Sequence, residues 1–95
     1  MNIRWQTQAH KDLQGVLHFH TNQRSTAGPK LVQNIIHFAI KQLQVAPQSG
    51  RQGRVEGTRE LIVPGCLFVV VYRIKNNEIQ ILAIRHQARL WPNHF

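Results

Sequence analysis

Acidic side chains are scarce in this chain. Four Asp and Glu stand against twelve Lys and Arg, a formal charge of +8 before any of the six histidines protonates. Such an excess repels itself in a folded body and suits an anionic partner: nucleic acid, an acidic protein segment, or both. Cysteine is nearly missing too. Cys66 stands alone, which excludes an intramolecular disulfide and any cysteine-based metal cluster. No run approaches the roughly 20 apolar residues that a bilayer-spanning helix requires. Met1, Asn2, Ile3, Arg4 and Trp5 form no secretory leader, so the expected location is the cytoplasm, with no membrane partner. Repeats and low-complexity segments are absent as well. What is present is an ordinary apolar content of 42% in 95 residues, enough for one packed domain over residues 1–95 and a modest core.

Hydrophobic spacing divides the chain into two regimes. Ile3 to Trp5 reads as a short edge strand, and Thr7 as a helix N-cap. Ala9, Leu13, Val16, Leu17 and His20 then recur at three- and four-residue steps, an amphipathic helix weakened by Gly15. Asn22 to Gly28 is polar and turn-like, and Pro29 suits a second helix start. Leu31, Val32, Ile35, Ile36, Phe38, Ala39, Ile40 and Leu43 give that helix a wide apolar stripe ending before Pro47. Residues 47–58, rich in Gly and carrying Arg51 and Arg54, read as an exposed loop. Beyond it the period changes. Arg59 to Val63, Leu67 to Ile74 and Glu78 to His86 are strand-like, separated by the turn signals Pro64-Gly65 and Asn76-Asn77. The predicted fold class is α+β, ordered β-α-α-β-β-β, with a helical hairpin on one face of a small, mainly antiparallel sheet.

Tight turns would fix which side chains share a face. The helix-covered face is expected to hold Arg59, Leu61, Val63, Phe68, Val70, Tyr72, Ile74, Ile79, Ile81, Ala83 and Arg85. The opposite face is expected to hold Glu60, Ile62, Leu67, Val69, Val71, Arg73, Gln80, Leu82, Ile84 and His86. This second set mixes charge with apolar groups beside the Arg51/Arg54 loop, which makes it the candidate functional surface.

The stretch GRVEGTRELIVPG, followed by VVVYRI and IQILAIRHQARLWP, resembles the C-terminal half of RelE/ParE-superfamily toxins. The opening IRWQTQAHKDL is similar to their first strand and helix. The resemblance spans nearly the whole chain. It implies the toxin of a type II toxin–antitoxin module, silenced by a cognate antitoxin whose acidic tail gains order on binding. The superfamily divides into ribosome-dependent mRNA endonucleases and inhibitors of DNA gyrase. The expected activity is mRNA cleavage on the ribosome, a metal-independent endoribonuclease. The alternatives are a non-enzymatic gyrase inhibitor and an idle relative that binds only its antitoxin.

Metal-free RNA cleavage needs a base, an acid and cations near the phosphorane. The resemblance aligns His86 with a strand-end histidine and Arg59 with a basic position of the nuclease branch. Where that branch carries an arginine early in the central strand, this chain has Val69. The catalytic candidates are therefore His86, Arg59 and Arg73. The candidates for contacting nucleic acid or a partner are Arg51, Arg54, Arg85, Arg89 and Trp91, with loop arginines suited to phosphate. Each has a plainer alternative: a strand-end hydrogen bond for His86, a solvated charge for Arg73, a packed tail for Trp91. For Glu60 a cross-strand ion pair is favoured over a base. His18 and His20 cannot share a helix face, and no metal or small-molecule cofactor is expected.

Overall fold

Five consecutive apolar residues, Phe68 to Tyr72, cannot alternate between core and water, so the strand that contains them must be covered on both sides. In the computed structural model this strand lies at the centre of the molecule. The structure describes residues 1–22, 27–88 and 91, with side chains for all of these except 19–22. The elements run β1 (Asn2–Trp5), α1 (Thr7–Asn22), α2 (Ala27–Val45), β2 (Arg51–Gln52), β3 (Arg59–Ile62), β4 (Phe68–Lys75) and β5 (Glu78–His86). The strands form one sheet in the order β1-β5-β4-β3-β2, antiparallel except where β1 pairs parallel with β5. The α+β class and the order of helices and long strands match the sequence expectation. No helix among the described residues is long and apolar enough to cross a membrane.

The α1–α2 hairpin covers one face. Ala9 and Leu13 of α1 and Ile35, Ala39 and Leu43 of α2 meet Leu61, Val63, Val70, Tyr72, Ile79, Ile81 and Ile84 of the sheet side. Asn76 and Asn77 both have positive φ, 55° and 59°, the pair of left-handed residues that a two-residue hairpin between β4 and β5 requires. Gly65, at φ 80°, closes the turn before β4 after Pro64.

Three expectations need correction. The loop 47–58 contains a two-residue strand: β2 pairs with β3 through Arg51↔Glu60 and Gln52↔Arg59. A pair this short has no hydrophobic period to betray it. Thr7 is not the cap of α1 but its first residue; the carbonyl of Gln6 accepts the first amides, from Ala9 and His10. The third correction concerns faces. β4 and β5 are in register from Lys75↔Glu78 to Tyr72↔Ile81, then shift so that Val71 faces Ala83. Leu82 is thus an extra residue, a β-bulge, and every side chain beyond it changes sides. Ile84 joins the helix-side core, and Ala83 joins Val69 and Val71 on the opposite face. By the same register His86 stands opposite Phe68, and Arg85 opposite Val69. The Asn22–Gly28 linker lies partly, and Arg89 wholly, outside the described residues.

Candidate functional site on the open face of the sheet

The face away from the helices is built by alternation from all five strands. Strand register puts Arg4, Arg51, Glu60, Val69, Val71, Arg73, Lys75, Glu78, Gln80, Ala83 and Arg85 on it. It carries many cations and two carboxylates, and the structure divides it into two ends.

At one end sits Glu60, whose side chain is only 1% exposed. A carboxylate so deeply placed must be paired and hydrogen-bonded. Arg51 Nη2 donates to Oε1 at 3.0 Å, while the backbone amide and Nε of Arg54 donate to Oε2 at 2.7 and 3.3 Å. Burial pushes the Glu60 carboxyl up, but the Arg54 amide and the two guanidinium groups outweigh it and hold the group below the usual carboxylate range. Arg54 is further engaged. Its guanidinium lies 3.7 Å from the ring centroid of Trp91, and its Nη1 donates to the carbonyl of Gln87. Trp91 packs on Val69, Val71 and Ala83, and its indole N–H donates to the carbonyl of His86 at 3.0 Å. Glu60, Arg54 and Trp91 together fasten loop, strand and tail over the apolar middle of this face.

At the other end, Arg4, Gln80 and Arg73 stand side by side on β1, β5 and β4. Arg73 Nε donates to Gln80 Oε1 at 2.7 Å, and the amide nitrogen of Gln80 donates to Glu78 Oε1 at 2.8 Å. Glu78 is also 3.9 Å from Arg4, an ion pair whose arginine side is 66% exposed and therefore weak.

The catalytic candidates are not brought together. Arg59 lies opposite Tyr72, and its Nη1 donates to the carbonyls of Gln48 and Gly50. Arg73 points from the open face near the β4–β5 turn. His86 stands at the far end of β5, ring edge against Phe68, its Nδ1 accepting the amide of Ala88. Five residue steps along β4 lead from Phe68 to Arg73, about 16 Å of strand. Among the binding candidates, Arg51 and Arg54 converge on Glu60. Arg85 pairs with Asp12 at 3.6 Å, whose other oxygen accepts the amide of Ile84. Sequence reasoning missed Asp12 as the clamp of α1 onto β5 and Gln80 as the holder of Arg73. A buried glutamine on a strand carries no periodic signal. Among the described residues no group of three or more His, Cys, Asp or Glu gathers to hold a metal ion.

A helical hairpin on a five-stranded mixed sheet is the architecture of RelE/ParE-type toxins. The family model for the ParE toxin of the type II toxin–antitoxin system parDE matches residues 3–91, and the chain belongs to that family. It is 31% identical over 90 residues to a candidate toxin, Y4kP, of Sinorhizobium fredii, covering 95% of this chain and 92% of the relative. It is similar to a solved chain of the chromosomal ParDE system of P. aeruginosa, with a TM-score of 0.78 and 35% identity over 90% of this chain and 95% of that one. The RelBE2 toxin–antitoxin complex of Mycobacterium tuberculosis shares the fold at 23% identity, TM-score 0.65, over 90% of this chain and 95% of that one.

Proposed function

We propose that this toxin arrests growth by binding its target, DNA gyrase engaged with DNA, and does not cleave RNA. The carrying observation is the dispersal of His86, Arg59 and Arg73 over both faces and both ends of the sheet. General acid–base cleavage of a phosphodiester needs a proton-transfer group and cations within hydrogen-bond reach of one reacting centre. The His86 ring is instead committed to Phe68 and the Ala88 amide, and Arg59 to two loop carbonyls. A poison needs only a surface. Membership of the ParE toxin family and likeness to a chain of the P. aeruginosa ParDE system support this reading, since the gyrase-inhibiting alternative is the ParE-like one. The partner that silences the toxin is an antitoxin of opposite charge, in keeping with the complexes named for its structural neighbours.

The test is induction in cells with protein and DNA synthesis followed separately, alongside His86→Ala. The expected outcome is a DNA-damage response and filamentation with early translation intact, in wild type and His86→Ala alike. Early translation arrest with cut transcripts, lost in His86→Ala, returns the protein to the ribosome-dependent nucleases. No growth defect in either leaves an idle relative bound only to its antitoxin.

A further inference from the structure

Most described arginines of this chain are already spent. Arg51, Arg54 and Arg85 each face a carboxylate, and Arg59 donates to two backbone carbonyls, while Arg4 makes a weak, largely exposed pair with Glu78. Arg73 differs. Its partner is neutral, the side-chain oxygen of Gln80, and the bond uses Nε, which leaves the terminal edge of the guanidinium for a ligand. Gln80 itself is 6% exposed, and its amide nitrogen is fixed by Glu78. A buried amide that holds Nε turns a flexible cation into a planar fork of set direction, the geometry that suits a phosphate. Lys75 lies two residues along β4 on the same face, and Arg4 lies across Gln80 on β1. Glu78 is the one carboxylate of this cluster, and it is taken up by Gln80 and Arg4.

We infer that Arg73, positioned by Gln80 and flanked by Lys75 and Arg4, contacts the phosphodiester backbone of duplex DNA. The inference rests on the binding reading above and names the DNA-contacting part of that surface. Duplex, not single-stranded, nucleic acid follows from what surrounds Arg73. Binding of single strands relies on aromatic platforms for the bases. The aromatic residue described on this face, Trp91, is packed on Val69, Val71 and Ala83 and carries Arg54 against its ring. Among the described residues of this face phosphate contacts alone remain, and these position a duplex without reading its sequence.

The purified full-length chain, titrated with a short labelled DNA duplex over a series of salt concentrations, tests this. Arg73→Ala is expected to bind about tenfold more weakly, with a slope of log affinity against log salt shallower by about one. Gln80→Leu keeps every cation; it is expected to lose about threefold in affinity with the salt slope unchanged, a split that mere misfolding does not give. Lys41→Ala, on the exposed side of α2, serves as the neutral control, and thermal unfolding of each variant verifies its fold. Arg73→Ala behaving as Lys41→Ala overturns the inference, as does tighter binding to single-stranded RNA than to the duplex. No duplex binding, with gyrase still poisoned in cells, removes this surface and leaves the gyrase reading. Duplex binding that follows the predicted pattern, in a protein that cuts transcripts, upholds the surface and removes the gyrase reading.

Discussion

The hydroxyl of Tyr72 holds a loop to the core. It donates to the carbonyl of Pro47 at 2.8 Å and accepts the amide of Gly50 at 2.9 Å, from a side chain with no exposed surface. Burial raises the phenol above its ordinary pKa, so it remains a donor at neutral pH. Gly50 is required there, because a Cβ would lie 2.6 Å from the Tyr72 ring. Tyr72→Phe removes both bonds and strands a buried amide, and is expected to cost about 1–3 kcal/mol in chemical denaturation. Glu60 plays the equivalent part on the open face. Its ionised form is favoured by the fold, so its contribution is complete above the unfolded carboxyl pKa of about 4.3 and fades as pH falls through the lower folded value. Glu60→Gln is expected to cost about 1–3 kcal/mol at neutral pH, discounted because both arginines remain partly exposed. Urea midpoints measured from neutral to acid pH should show wild type and variant converging as the pH drops.

At the scale of elements, long periodic segments were legible and short or irregular ones were not. Ala9, Leu13 and Val16 announce the buried stripe of α1, and Asn76-Asn77 the hairpin, because each satisfies a local rule. The Leu82 bulge obeys none visible in sequence: Ile-Leu-Ala-Ile offers apolar residues at both parities, so nothing marks where the alternation breaks. One unmarked residue sufficed to exchange the sides of Arg85 and His86. The candidate surface could therefore be located by its charge, whereas the pairing of each cation could not, since Glu60 and Gln80 act through tertiary contacts. Helix α1 also carries a correctable weakness. Gly15 is exposed, and a Cβ there would meet nothing within 4 Å. Gly15→Ala is expected to raise stability by about 1 kcal/mol, read as a higher urea midpoint with an unchanged slope.

For the molecule as a whole, charge is distributed by use. Of the four acidic residues, Asp12, Glu60 and Glu78 are turned to arginines of their own chain, so little negative surface competes with the cations that face outward. That accounting favours a polyanionic target and an acidic silencing partner over a small metabolite. The pairing of β1 with β5 has a further consequence, one of timing. Among the described residues, residues 2–5 find their strand neighbour in residues 78–81 alone. During synthesis, then, the first strand must wait for nearly everything that follows it, and the central sheet cannot close over a partial chain. The five-stranded sheet is therefore a property of the finished chain, complete only once residues 78–81 have been made and the opening strand has reached them.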